Sequence, residues 1–234
     1  MSQKRDLKSL KNFLESIFSK TLKNNCKISL ISGEDFENFL VDVHLANEFE
    51  SVAKSVGYNN VEWIVVKRNS LDYLLSIYSE KAGYRIVLDI GLIANNVLEY
   101  GFFTTSTENY NYKFVFDMEK FSRLFTKNVN SKLTVINFED FIEDFPGKPI
   151  FSNLVNDEHL NKLRENSKII GIKRKRPSRE KTEFRYVANF LGMTPNGEFH
   201  EQNKKLVESL MAHRLNRNES ILKDIEIKFK ERFK

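Results

Sequence analysis

Residues 61–116 alternate between apolar and polar side chains in short segments that turn-forming residues separate. β-branched and aromatic residues are frequent in these segments, which is typical of strands. The connections are too short for a parallel crossover, which needs about a dozen residues, so antiparallel pairing is favoured. We therefore predict an antiparallel β-meander of about four or five strands, over residues 61–66, 71–77, 84–90, 97–103 and 110–116.

Helical spacing of apolar residues flanks this predicted sheet. Before it, one helix is predicted over 4–24, and a second begins after Ser32 as its N-cap and ends at Gly57. After it, the patterns predict a short strand at 133–136 and helices over 118–125, 138–145, 157–166, 178–191 and 201–216, followed by a last helix that Asn218 caps. The predicted fold class is α+β, with helices packed on the meander and a helical, basic C-terminal module after it.

Composition indicates a folded chain with few flexible linkers. Of 234 residues, 41% are hydrophobic and twenty are Phe, whereas only nine are Gly and four are Pro. This length fits one domain with an appendage, or two small domains. We predict an α+β body over 1–166 and a basic helical module over 167–234, with Pro177 in the first turn of that module's first helix.

Charge is segregated along the chain. Residues 1–30 carry seven Lys and Arg against two Asp and Glu, residues 31–161 carry eleven against twenty, and residues 162–234 carry nineteen against ten. The net charge of +5 therefore conceals a strongly basic C-terminal third. Such asymmetry indicates a polyanionic partner, or parts of one protein that attract each other.

The densest positive charge lies at residues 173–181, in the run KRKRPSREK. Lys and Arg neutralise phosphates and release condensed counterions, and Arg can form two hydrogen bonds with one phosphate. We predict that phosphates bind to Lys173, Arg174, Lys175, Arg176, Arg179, Lys181 and Arg185. The run also resembles a short nuclear import signal, which matters only in a eukaryotic or viral setting. The alternatives are a solvated charge run, or one that docks on the acidic middle of the same chain.

Residues 186–194 resemble the first half of a helix-turn-helix motif, with Ala188 four residues before Gly192. The second half departs from the pattern, because Pro195 and Gly197 fall where a recognition helix should begin. An ordinary helix that ends at a glycine cap is the favoured interpretation.

Two further segments, one aromatic and one amphipathic, each have a binding interpretation and a packing interpretation. Tyr110, Tyr112 and Phe114 could stack on unpaired bases, but packing beneath a helix is favoured. The last predicted helix combines an apolar face with basic residues and could lie on an anionic membrane, but packing on the body or on a partner helix is favoured.

No motif in the sequence identifies an enzyme. The four histidines form no metal-ligating pair, and there is no P-loop, dinucleotide-binding glycine motif or nucleophile elbow, so no cofactor or metal is predicted. A metal-dependent nuclease is a minority hypothesis, in which Asp89 and Glu99 lie on neighbouring predicted strands with Glu34 or Glu37 nearby. The Glu-x-Lys expected of such a site is missing.

The sequence therefore predicts a non-enzymatic nucleic-acid-binding protein, with DNA or RNA as its partner. The second hypothesis is a protein-interaction subunit of a larger assembly or homo-oligomer, and the nuclease is third. Cys26 is the only cysteine, which excludes an internal disulfide and favours a reducing compartment. No apolar run approaches the ~20 residues of a membrane span, and the N-terminus lacks the apolar segment of a signal peptide. We expect an intracellular protein, cytoplasmic or, in a eukaryotic host, nuclear.

Overall fold

The structure is a computed structural model that describes residues 7–24, 26, 28–84, 87–106, 111–170, 176–192 and 203–233. The chain divides into two compact units, each made of separate stretches of sequence. Unit 1 contains Met1–Lys67 and Tyr100–Ile136, and unit 2 contains Arg68–Glu99 and Asn137–Lys234.

Unit 1 combines helices with two small sheets. Its elements are α1 (Leu7–Lys23), a 3-10 helix (Glu34–Leu40), α2 (Val43–Ser55), β1 (Glu62–Lys67), β2 (Phe102–Ser106), β3 (Asn111–Val115), α5 (Met118–Asn128) and β4 (Lys132–Asn137). Strand β1 pairs with β4 in parallel, and β2 pairs with β3 in an antiparallel hairpin that places Phe102 opposite Val115.

Aromatic rings form the centre of unit 1. The Trp63 ring on β1 lies edge-on to Phe39 and Phe125, at centroid distances of 5.4 and 5.6 Å. Phe49 on α2 lies 5.2 Å from Trp63 and 5.5 Å from Phe18 on α1. Edge-to-face pairs of this kind add to the stabilisation that burial of the rings already gives, so much of the chain's Phe content serves this core.

Gly101 allows the chain to turn into β2. Its φ of +81° lies in the left-handed region, and its carbonyl accepts hydrogen bonds from the backbone N–H groups of Phe116 and Asp117, both at 2.9 Å. A Cβ at this position would lie 2.6 Å from the Cβ of Asp117. Glycine is therefore required both for the backbone angle and for the close approach.

The regular elements of unit 2 are helices in the residues that the structure describes, apart from Asn137, the last residue of β4. Its elements are α3 (Ser70–Gly83), α4 (Ile90–Tyr100, whose last residue belongs to unit 1), α6 (Phe138–Ile142), α7 (Lys148–Phe151), α8 (Asp157–Ile170), α9 (Arg179–Phe190) and α10 (Lys204–Arg232). Helices α3 and α9 run parallel, because Ser79 bonds to Thr182 at 3.1 Å and the Ala82 carbonyl, one turn further along α3, accepts from Asn189, two turns further along α9, at 3.0 Å.

Helix α10 runs antiparallel to α9. Val187, near the end of α9, packs with Val207, near the start of α10. Glu183, one turn earlier in α9, accepts a hydrogen bond from Asn218, further along α10. Helices α3, α9 and α10 thus pack together and enclose polar side chains.

The predicted antiparallel meander is wrong. Helices make up 66% of the structure, and the short strands form one two-stranded parallel sheet and one two-stranded antiparallel sheet. Residues 71–77 lie within α3, and 97–100 lie at the end of α4. The predicted strand over 84–90 includes residues 85–86, outside the described part of the chain, and its last residue begins α4.

Helix-start signals explain the error. Asn69 caps α3, because its side-chain oxygen accepts from the backbone N–H groups of Leu71 and Asp72 at 3.0 and 3.2 Å. The buried residues Leu74, Ile77, Tyr78 and Ala82 then follow helical spacing. In α4, Asn95 and Asn96 are exposed polar residues inside a helix, although Asn is typical of turns.

Most of the other predicted helices and strands are confirmed. Helices over 4–24, 118–125, 138–145, 157–166 and 178–191 and strands at 61–66 and 133–136 are confirmed within a few residues for the described parts of the chain. The predicted helix after Ser32 is divided into the 3-10 helix and α2, and Gly33 rather than Ser32 precedes its first turn. The predicted helix boundary at Asn218 is wrong, because α10 continues through it.

Within the described ranges, every helix is too short or too polar to cross a membrane.

Candidate nucleic-acid interface

The predicted phosphate-binding residues lie at and before the start of α9. Lys173, Arg174 and Lys175 fall outside the described residues. Ser178 is the N-cap of α9, and its hydroxyl accepts from the backbone N–H of Lys181 at 3.2 Å. Pro177 therefore lies before the N-cap. The prediction that it occupies the first turn of this helix is wrong.

The four described candidates have different surroundings. Arg176 forms an exposed ion pair with Asp72, the first-turn acid of α3, at 3.6 Å. Arg179 and Lys181 are exposed, Arg185 is half-buried, and none of these three forms an ion pair with another described residue. The structure thus brings Arg176, Arg179 and Lys181 together at one end of α9 and places Arg185 further along the same helix.

Basic residues in the second half of α10 are neutralised by neighbours on their own helix. Lys223 pairs with Glu219 at 3.3 Å, Lys228 with Asp224 at 2.7 Å and Lys230 with Glu226 at 2.6 Å. The two residues of each pair are four positions apart, so they are neighbours on the helix surface. Ion pairs therefore offset the positive charge in the second half of α10, whereas Arg179 and Lys181 at the start of α9 form no ion pair with a described residue.

A small cleft of about 70 Å³ opens beside the start of α9. Arg176 and Arg179 line it together with apolar side chains of α3, α4 and α10, including Leu75, Ile90 and Leu222. Pockets that enclose drug-sized ligands are several-fold larger, at ~300–1,000 Å³. A cleft of this size admits a single side chain or one small polar group.

A buried polar network holds α9 between α3 and α10. Glu183, on α9, has a side chain that is only 5% exposed, and its carboxylate accepts from Arg214 Nε and Asn218 Nδ2, both at 2.8 Å. The Tyr78 hydroxyl donates to the same carboxylate at 3.2 Å and accepts from Arg214 Nη2 at 2.7 Å. This arrangement joins three helices through one buried charge pair, and within the described residues only Asn218 Oδ1 in this cluster lacks a hydrogen-bond partner.

Two tyrosines complete the network. The Tyr186 hydroxyl donates to the Tyr78 carbonyl at 2.6 Å, and the two rings stack with centroids 4.4 Å apart. Burial, reinforced by the nearby Glu183 carboxylate, raises the pKa of Tyr78 far above the usual range, and burial does the same for the pKa of Tyr186. Both hydroxyls are therefore neutral at physiological pH and act as hydrogen-bonding groups that fix the register of α9.

The site predicted from the sequence includes none of the five network residues, which are Tyr78, Glu183, Tyr186, Arg214 and Asn218. The signal that could have identified them is in α10, where Arg214 and Asn218 occupy positions that continue the buried stripe of Val207, Ile225 and Phe229. Polar residues at core positions of a helix indicate partners on a facing helix, because a buried polar group without a partner is costly.

The acidic residues of the nuclease hypothesis do not form a cluster. Asp89 lies before α4, where it caps the helix and pairs with Arg217 at 2.5 Å, and Glu37 accepts from the backbone N–H of Val115. Glu99 lies near the end of α4. Over the described ranges, no three His, Cys, Asp or Glu side chains come close enough together to hold a metal ion.

The structure describes parts of the helix-turn-helix-like segment and of the aromatic strand. Gly192 follows α9 with a left-handed φ of +66°, as a glycine cap requires, while Pro195 and Gly197 lie outside the described residues. On β3, Tyr112 and Phe114 are half-buried and stack on each other, with centroids 6.1 Å apart. Tyr110 also lies outside the described residues.

Comparisons of the chain with protein families, with curated proteins and with solved structures find no match.

Proposed function

We propose that this chain is a nucleic-acid-binding protein whose phosphate contacts come from the start of α9 and the basic run before it. The observation that carries the proposal is the contrast between two sets of cations in unit 2. Arg179 and Lys181 have no ion-pair partner among the described residues, whereas Lys228 and Lys230 each pair with an acid one turn away.

Unpaired cations favour a polyanion for a simple reason. A phosphate that binds Arg179 or Lys181 does not have to break an ion pair between described residues, and counterion release is the main source of non-specific affinity for nucleic acids. A phosphate that meets Lys228 must first compete with Asp224. Arg176 is intermediate, because its exposed pair with Asp72 contributes only about 0–1 kcal/mol and is readily exchanged.

The start of α9 also supplies a favourable field. The N-terminus of a helix carries a partial positive charge from its aligned peptide dipoles, which adds to the charge of the flanking side chains. The buried network behind this helix fixes its direction, so the cations are presented on a rigid element and lose little freedom when they bind.

The test compares two double variants that remove the same charge. We expect Arg179→Gln with Lys181→Gln to weaken binding of the full chain to DNA or RNA by about tenfold or more at low salt. The slope of log K against log salt should become shallower by about 0.9 for each lost contact. The control, Lys228→Gln with Lys230→Gln, should change affinity by less than about twofold because those cations are already paired.

Fluorescence anisotropy over a salt titration measures both quantities. Absence of salt-dependent binding by the wild-type chain would contradict the proposal outright. An equal loss in both double variants would also contradict it, because the binding would then depend on net charge rather than on the start of α9.

A protein-interaction subunit is the second candidate, and one observation favours it. Leu92 on α4 and Ile227 on α10 are apolar side chains that are 65% and 60% exposed, so contact with a partner would remove their apolar surface from water. Sedimentation in low and high salt tests this candidate. An oligomer without affinity for nucleic acid would favour it over the first.

A further inference from the structure

The C-terminal ends of α3 and α9 carry two exposed aromatic side chains. Tyr84, directly after α3, is 63% exposed, and Phe190, the last residue of α9, is 71% exposed. Large aromatic residues are usually among the most buried in a protein. Two of them left open at the same end of a helix pair therefore require an explanation.

Hydrogen bonding brings the two positions to the same end of unit 2. The Asn189 side chain donates to the Ala82 carbonyl at 3.0 Å, so the last turn of α9 is tied to the last turn of α3. Phe190 follows the donor directly, and Tyr84 lies two residues beyond the acceptor. This bond satisfies one of the carbonyls that a helix leaves free at its C-terminus, and it holds the aromatic residues on a fixed support.

A cation lies beside the Tyr84 ring, and a second lies at the C-terminal end of α3. The Lys81 ammonium lies 5.2 Å from the centre of the Tyr84 ring, within the range of a cation–π interaction. Arg185 extends along α9 until its Nη1 lies 3.7 Å from the point that a Cβ on Gly83 would occupy. A guanidinium at the C-terminal end of α3 also interacts favourably with the helix dipole.

We propose that this surface, formed by Tyr84, Phe190 and Arg185 and called here the stacking end, binds unpaired bases of a single-stranded nucleic acid. Each aromatic ring offers a flat face for one base, and Arg185 contacts the phosphate between them, which is the combination that single-strand-binding proteins use. Paired bases in a duplex are already stacked and cannot lie on these rings. The inference rests on the proposed function and adds a preference for single strands.

The two ends of α9 then have separate roles. The first turn supplies phosphate contacts, and the stacking end, about 16 Å further along the helix axis, supplies contacts to bases. A single strand of several nucleotides reaches both, which agrees with the ~4–16 nucleotides that single-strand sites cover.

The decisive variant is Tyr84→Ala with Phe190→Ala in the full chain. Anisotropy is measured with labelled oligo(dT), oligo(rU) and a mixed-sequence duplex, each about 20 nucleotides or base pairs long. Affinity for one or both single strands should fall by about tenfold to a hundredfold, because two stacking contacts are lost. Affinity for the duplex should change by less than about twofold, since the start of α9 is intact. The ratio between the DNA and RNA arms shows which single strand the site prefers.

Two controls separate stacking from folding. Leu92→Ala with Ile227→Ala removes two equally exposed apolar side chains and should leave all three affinities unchanged. Tyr84→Phe with Phe190→Tyr keeps both rings and should retain single-strand binding.

Equal loss for single strands and duplex, or no loss for either single strand, would overturn the inference while leaving the proposed function intact. No binding of any oligonucleotide by the wild-type chain would instead remove the proposed function itself.

Discussion

At the scale of single residues, Asp89 shows how one carboxylate can serve two elements. Its Oδ1 accepts from the backbone N–H groups of Gly91 and Leu92 at 2.9 and 3.1 Å, which caps α4. Its Oδ2 accepts from Arg217 on α10. Partial burial opposes ionisation, but the hydrogen bonds from Arg217 and from the two amides outweigh it, so the pKa of Asp89 lies below its usual value.

Replacing Asp89 with Asn isolates the charge, because Asn caps a helix about as well as Asp does. We expect Asp89→Asn to lower the free energy of unfolding by about 0.5–1 kcal/mol at pH 7, since the ion pair is partly exposed. The folded-state pKa is depressed, so the stabilisation is fully present above the unfolded pKa of about 3.9 and is lost as the pH falls through the lower folded value. Urea unfolding from neutral to strongly acidic pH measures the difference.

Asp89→Ala provides the matched comparison, because it removes the cap as well as the charge. It should cost about 1 kcal/mol more than Asp89→Asn at every pH. A difference between the wild type and Asp89→Asn that stays constant into strong acid would show that the Arg217 pair does not stabilise the protein.

At the scale of elements, the network of Tyr78, Glu183, Arg214 and Asn218 determines where α9 lies. Apolar contacts alone leave a helix free to slide or rotate, whereas a buried carboxylate with three donors has few acceptable positions. Arg214 is central, since it contacts Glu183 and Tyr78 and lies 5.2 Å from the centre of the Tyr186 ring.

Removal of Arg214 alone should therefore be more harmful than removal of the whole charge pair. We expect Arg214→Met to destabilise the chain by about 3–5 kcal/mol, because Glu183 is left buried and charged without its main partner. Adding Glu183→Leu should recover about 1 kcal/mol or more of that loss. Denaturant unfolding of the single and double variants tests this coupling, and strictly additive losses would contradict it.

Local signals predict an element's type well where one periodicity dominates, as in α1, α5 and α8. They fail where an apolar run fits both periods. Residues 71–77 alternate like a strand, yet Leu71, Leu74, Tyr78 and Ala82 also share one helical face, and the Asn69 cap favours that alternative.

The candidate interface could likewise be predicted only in part. Clustered charge locates the predicted phosphate contacts, but the buried network depends on contacts between residues 31 to 140 positions apart, which no local pattern specifies.

At the scale of the whole molecule, the segregation of charge seen in the sequence largely disappears. Unit 2 collects the basic third together with acidic stretches from 68–99 and 137–161, which gives it 23 Lys and Arg against 20 Asp and Glu. Unit 1 has 14 against 12. The proposed function therefore depends on the local density of positive charge at the start of α9. It predicts a modest salt dependence of binding, because only a few phosphate contacts form.

Unit 2 is built from two separate stretches of the chain, which determines which fragments can fold. A chain that ends at residue 166 retains α3 but lacks α9 and α10, which cover Leu74, Ile77 and Tyr78 in the full protein. We expect unit 1 to stay folded in this fragment and α3 to lose most of its protection against amide hydrogen exchange, by about a thousandfold or more. The amides of β2, β3 and α5 serve as internal controls, because their contacts lie within unit 1.

Protection of α3 that equals its value in the full chain would contradict this expectation, because α3 would then be folded without its partners. If α3 is unprotected as expected, truncation removes the support of unit 2 together with the cations. Loss of nucleic-acid binding by the fragment would then have two explanations. Substitutions at Arg179 and Lys181 in the full chain avoid this ambiguity, because both side chains are exposed and the buried network does not depend on them.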